Sequence, residues 1–208
     1  MRSDSLDLLS AAGWSALWDH GVRTIIDLRN DDERGSDRAP RPAGLTTVNL
    51  PLDVSENRDF WNVWASGPQF GTPLYYLPLL ERFPERSVAV LQTIAHAAPG
   101  GVLFHCGSGR DRVGQVAMLV LHLLDVPPET VAADYELSAA RLPRRFEALG
   151  QPDQGPEIAA YLAERGTNAG EVIVEMLAAS DVRRMLERAG LKDGDLEALR
   201  ARALDPLS

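Results

Sequence analysis

Apolar and polar positions along the chain change period several times. Val22 to Leu28 and Thr46 to Leu50 are β-branched runs bounded by turn residues, and 102–105 is an apolar run after Pro99-Gly100-Gly101. All three predict strands. Helical spacing predicts helices near 5–10, 13–20, 86–98 and 113–124. The fourth of these is apolar on nearly all sides and therefore buried. Further helices are expected over 128–138, 141–149, 156–165, 168–179, 181–189 and 193–204. Strands alternating with helices predict an α/β, three-layer domain. Its sheet would be small and mostly parallel, with four or five strands and helices on both faces. A helical cluster over 155–204 would pack against one side of it. The 208 residues suit a single domain.

Two stretches interrupt this pattern. Asn30 to Gly44 is charged and proline-bearing, a surface loop. Residues 54–84 concentrate the aromatic side chains Phe60, Trp61, Trp64, Phe70, Tyr75, Tyr76 and Phe83. Such an excursion reads either as a lid or pocket wall, or as a segment stapled to the body by packing. Packing is expected for most of these rings, with one or two left to line a pocket.

Composition narrows the chemistry. The formal net charge of −9 repels nucleic-acid backbones and anionic surfaces overall, so no nucleic-acid partner is expected. A single cysteine excludes an internal disulfide and favours a reducing, cytoplasmic setting. No apolar run is long enough to predict stable membrane insertion. His20, His96 and His122 sit in helical contexts without metal-ligand spacing, so neither metal nor cofactor is expected.

The chemistry concentrates in His105-Cys106-Gly107-Ser108-Gly109-Arg110-Asp111-Arg112-Val113-Gly114, between the apolar run at 102–105 and the buried helix. A strand–loop–helix unit aims backbone N–H groups and a helix dipole at the space above the loop, which makes an anion site. Gly107 and Gly109 let the loop take positive φ and approach a ligand closely. The Arg112 guanidinium is a planar fork that matches two phosphate oxygens. Cys106, beside a helix N-terminus and an arginine, is expected to have a lowered pKa and to be largely thiolate at neutral pH. Thiolate, fork and amides together describe phosphoryl transfer to sulfur.

This stretch resembles the Cys-x5-Arg signature of protein tyrosine phosphatases. More narrowly, it is similar to the His-Cys-x-x-Gly-Lys-Asp-Arg-Thr-Gly loop of bacterial atypical tyrosine and lipid phosphatases. His105, Cys106, Gly109, Asp111, Arg112 and Gly114 match by position. Asp27-Leu28-Arg29, with a glutamate a few residues on, and Arg2-Ser3-Asp4 extend the resemblance. The family's earlier Asn-x-Arg-Asp-x-Gly-Gly segment has no counterpart here. Arg110 replaces the subfamily's lysine and keeps its charge. Val113 replaces a hydroxyl residue thought to help the phosphocysteine break down.

The resemblance implies a protein tyrosine phosphatase, dual-specific or active on phosphoinositides, working through a Cys106 phosphocysteine. Its substrates would be phosphorylated proteins or phosphoinositides. The alternative is an impaired, phosphate-binding module, motivated by Val113. Gly107, Ser108, Gly109, Arg110 and Val113 would line the phosphate seat. Arg110 would otherwise be a solvated charge. His105 would tune the acidity of the sulfur. The acid for the leaving oxygen is Asp111 or, second, Asp53 after the strand at 46–50. Asp27 and Arg29 read as a structural ion pair.

Overall fold

The computed structural model describes residues 1–204. Four strands form one sheet: β1 (Arg2–Ser3), β2 (Val22–Asp27), β3 (Thr46–Asn49) and β4 (Gly101–His105). Their order is β1-β4-β2-β3, and every neighbouring pair is parallel. Parallel pairing requires a long crossover after each strand: it is helical from β1 to β2 and from β3 to β4, whereas the charged 30–44 loop, without an α-helix, carries the chain from β2 to β3. The register sets Asp27 level with His105 on one side and Asn49 on the other. The C-terminal ends of the three longer strands therefore share one edge. Leu28-Arg29, Leu50 to Asp53 and Cys106 all emerge there, as expected of a ligand-binding edge in an open α/β sheet.

Alternation along the strands divides the core. Val22, Ile25 and Leu103 meet Leu6 and Trp14, the latter on α1 (Ala11–Asp19). Ser10 caps α1 by accepting the Gly13 amide at 3.2 Å, and Gly21, at φ +90°, turns the chain into β2. Ile26, Val102 and Phe104 face the larger cluster, built with α2 (Arg58–Trp64), α3 (Tyr76–Arg82), α4 (Pro84–Ala95) and α5 (Asp111–Leu123). Helices thus flank the sheet on both faces, and the α/β architecture with a helical C-terminal region is as the sequence predicted.

The C-terminal third comprises α6 (Pro128–Glu136), α7 (Leu142–Leu149), α8 (Gly155–Ala163), α9 (Ala169–Ala179), α10 (Val182–Arg188) and α11 (Asp193–Leu204). α9 packs on α6, while α10 and α11 pack on α4, forming a layer beyond the helices that cover the sheet. Asp195 on α11 accepts from Gln92 at 2.9 Å and meets His96 at 2.6 Å, pinning this layer to the α4 end.

Two local expectations differ from the fold. No helix forms over 5–10. Its residues are drawn into tertiary contacts instead: the Ser5 amide donates to the Gly107 carbonyl at 3.1 Å, and Asp7 grips Arg29 at 2.6 and 3.0 Å. Strand β1 is two residues long, too short for period-two spacing to reveal it.

The 54–84 excursion is held by its rings. Phe60 meets Trp61 edge-on at 5.0 Å, Trp61 meets Tyr75 at 5.7 Å, and Tyr75 meets Tyr76 at 5.1 Å. Edge-to-face pairs of this kind add about 0.5–1.5 kcal/mol beyond their burial. Most of the rings serve packing, and Phe70 stays exposed.

Candidate active site

β4 ends at His105, and α5 begins at Asp111, so the intervening loop spans the sheet edge. Gly109 alone in this loop has positive φ, +75°. A Cβ there would lie 2.7 Å from the Asp4 amide nitrogen, so only glycine fits against the turn after β1. Gly107 has no positive φ, contrary to expectation. A Cβ there would meet only Arg112 at 3.7 Å and Glu33 at 4.0 Å. Both are ordinary contacts, so neither the backbone nor these neighbours require glycine at this position.

Cys106 and Arg112 lie near enough that the guanidinium charge favours the sulfur anion. The Cys106 Sγ accepts the Gly109 amide at 3.3 Å. The Arg112 guanidinium grips the Glu33 carboxylate with both terminal nitrogens, at 2.5 and 2.6 Å. Its Nε faces Asp53 at 3.4 Å. A carboxylate therefore holds the bidentate position that two phosphoryl oxygens would take.

The electrostatics depart from expectation at the sulfur. Cys106 is 1% exposed, and burial pushes its thiol above the ordinary value, against the opposing pull of Arg112 and the Val113 and Gly109 amides. The lowered pKa predicted from the loop is absent for two reasons. The sulfur is sealed from water, and the arginine that would stabilise the anion is shared with two carboxylates. Glu33 is held below its ordinary value: burial raises it, but Arg112 outweighs that.

Asp53 is also buried, and one of its carboxylate oxygens has no partner among the described residues. Burial raises its pKa from 3.8 to about 6, in spite of Arg112. Asp111 has a different neighbourhood. Its carboxylate pairs with Arg110 Nε at 3.1 Å, and its carbonyl accepts the Tyr76 hydroxyl at 2.8 Å. The Tyr76 bond fixes the start of α5 to the aromatic excursion.

Arg110 is buried, not a solvated charge. It lies under Gly71 of the excursion, where an added Cβ would sit 2.8 Å from its Nη2 and crowd Ile158 of α8. Ser108 is half-buried and Val113 fully buried. His105 is fully buried, 3.7 Å from Asp27, and burial lowers its pKa against the pull of that carboxylate. It is therefore neutral at pH 7. Asp27 and Asp7 sandwich Arg29 as buried or half-buried partners, so the ion pair read from the sequence is a three-residue clamp.

Three contributors carried no assigned role in the sequence. Glu33 is the glutamate after Asp27-Leu28-Arg29, and only that spacing pointed to it. Tyr76 was one aromatic among many. Arg145 on α7 donates to the Gly107 carbonyl at 2.8 Å, a contact made across 38 residues that no local pattern encodes.

Similarity to known proteins runs along the whole described chain. A family model described as the tyrosine phosphatase family matches residues 1–205. The chain is 33% identical over 159 residues to a tyrosine-protein phosphatase of Nostoc commune, covering 76% of this chain and 52% of that one. A Cupriavidus necator relative with a tyrosine-protein phosphatase name is 29% identical over 140 residues, covering 64% and 50%. The triple specificity protein phosphatase PtpB of Mycobacterium tuberculosis is 24% identical over 200 residues, covering 79% and 72%. The chain thus spans about half the length of the first two relatives.

Proposed function

The chain belongs to the tyrosine phosphatase family, and on that footing we propose that it hydrolyses phosphotyrosine in proteins through a phosphocysteine on Cys106. The observation that carries this reading is the Arg112 fork closed on a planar oxyanion beside the Cys106 sulfur.

A phosphoryl group exchanges with the Glu33 carboxylate on that fork. The Cys106 thiolate attacks phosphorus in line, and an S–P bond forms as the P–O bond to the leaving group breaks. Arg112 and the loop amides hold the equatorial oxygens. Asp53 supplies the proton to the leaving oxygen. Water, deprotonated by the resulting carboxylate, then attacks phosphorus, breaking the S–P bond and releasing phosphate.

Asp53 is favoured over Asp111 as the acid. A group with a pKa of about 6 carries its proton in a useful fraction of molecules near neutral pH. Asp111 is held by Arg110 and braces the loop. As Glu33 leaves the fork, Arg112 stabilises the sulfur anion and the thiol proton passes through water to the Asp53 carboxylate, so the reactive form pairs a sulfur anion with a protonated Asp53. Dual specificity and phosphoinositide hydrolysis remain within reach of the same chemistry, because the seat reads the phosphoryl group.

The deciding experiment is a steady-state assay on phosphotyrosine peptides and p-nitrophenyl phosphate. Turnover is expected in the unmodified protein. Cys106→Ser should abolish it while retaining phosphate binding. Undiminished hydrolysis by Cys106→Ser would refute the mechanism.

A further inference from the structure

The stretch Gly107–Gly109 separates two anion-compatible spaces. One is the seat between Cys106 and Arg112. The other is a cleft of about 380 Å³ that Ser108 and Gly109 wall on one side, and α6–α7 residues on the other. Neither Cys106 nor Arg112 lines it.

Three arginines enter this cleft, Arg2, Arg141 and Arg145. Arg145 is balanced by Asp4 at 3.0 Å, and Arg2 by Asp134 at 3.3 Å. The Arg141 side chain makes no hydrogen bond or ion pair among the described residues and is exposed. The Arg2 Nη1 has no acceptor among the described residues but is shielded from water, so Arg141 is the cation open to a ligand. One arginine charge is thus left over in a chain whose net charge is −9. Leu137, 56% exposed, and Leu142 add an apolar flank. An occupant with a carboxylate head and a short apolar stem matches both features.

We propose that this cleft is an accessory subsite for an acidic residue flanking the phosphorylated residue of a protein substrate, held by Arg141. The proposal rests on the reading of Cys106 as the phosphatase nucleophile. One loop serves both spaces: Arg145 clasps the Gly107 carbonyl from the cleft side, so a peptide lying across Ser108 engages the two together. An anionic bilayer is a poorer occupant, because the acidic surface repels it.

The test compares two phosphotyrosine peptides that differ only in a flanking Glu or Gln, in the unmodified protein, Arg141→Gln and Arg141→Glu. The readout is the ratio of kcat/KM for the acidic and neutral peptides. p-Nitrophenyl phosphate turnover is recorded alongside, as a check that the cysteine site is folded. One exposed ion pair is worth up to about 1 kcal/mol, or roughly fivefold. The unmodified protein should prefer the acidic peptide by about that factor, chiefly through KM. Arg141→Gln should bring the ratio to about one and Arg141→Glu below it, and added salt should erode the preference. Equal handling of the two peptides by the unmodified protein would overturn the proposal. So would a preference that survives Arg141→Glu, or a response to Arg141 seen only with anionic vesicles or a soluble inositol bisphosphate. Should no phosphoester be hydrolysed at all, the catalytic reading fails separately. Anisotropy of the same labelled peptides on Cys106→Ser then decides the cleft, by the presence or loss of the Glu-over-Gln preference.

Discussion

Replacing Asp53 by Asn separates the two carboxylates competing for the role of acid, and it does so through stability as well as rate. Asp53 is buried beside Arg112, and its pKa rises from 3.8 to about 6. Protons therefore bind the folded form more tightly than the unfolded one. The stability owed to this group is full below about pH 4 and is lost as pH rises through about 6. A shift of about two units corresponds to about 3 kcal/mol at pH 8. Asn resembles the neutral acid in shape and carries no charge at any pH. Asp53→Asn should therefore match the unmodified protein at pH 4 and exceed its stability by up to about 3 kcal/mol at pH 8. Urea unfolding at pH 4, 6 and 8 measures this. Removing the acid should also slow kcat by about 10²–10⁴ for aryl phosphates with poor leaving groups, and much less for good ones. A series of phenols of graded acidity reads that slope. Equal losses across the series, or a variant that gains no stability over the unmodified protein between pH 4 and pH 8, would refute the assignment. The same series on Asp111→Asn should then carry the slope instead.

Glu33→Gln frees the Arg112 fork from a partly exposed ion pair worth about 1 kcal/mol. Vanadate or phosphate should then inhibit about fivefold more tightly, and the pH midpoint of Cys106 alkylation by iodoacetamide should fall; weaker inhibition would make Glu33 a positioning residue for Arg112. Val113→Thr places a hydroxyl in a fully buried site beside the sulfur. Faster phosphocysteine breakdown and a smaller burst are expected in single-turnover kinetics, at a stability loss of about 1–3 kcal/mol if the hydroxyl finds no partner; an unchanged burst would remove valine as the cause of slow turnover. Gly71→Ala drives a methyl into Arg110 and Ile158, so thermal unfolding should show a loss of about 1–3 kcal/mol, about 2–4 °C in Tm per kcal/mol for a domain of this size.

The sequence disclosed most where a signal was local. The runs at 22–28, 46–50 and 102–105 became β2, β3 and β4, and the loop between β4 and α5 was legible from its glycines and its Cys-x5-Arg spacing. What stayed hidden was made by contacts across the chain. The stretch 5–10 carries helical spacing, yet Arg29, 22 residues from Asp7, pulls it into a turn. Arg110 reads as a surface charge until Gly71 and Ile158 are folded over it. The sulfur shows this most clearly. Local chemistry predicted a thiolate, because it counted Arg112 and the helix terminus as uncommitted. Glu33 lies 79 residues from Arg112, and no pattern at 105–114 could register that it takes the fork.

On the proposed mechanism, that same pairing lets an acidic chain seat a phosphoryl group without a standing positive patch. At rest, Arg112 is neutralised by Glu33 and faced by Asp53, and Cys106 holds its proton under cover. Buried and partly buried charge is matched internally, which avoids the several kcal/mol that an unpaired guanidinium would cost. Binding then becomes an exchange of one oxyanion for another on the same fork. The swap places a more highly charged group where a carboxylate stood, so part of the Arg112 attraction is offset by releasing Glu33. Affinity for free phosphate should therefore be modest. Discrimination must come from what surrounds the fork: the aromatic excursion tied to α5 through Tyr76, and the arginine-lined cleft beyond Ser108.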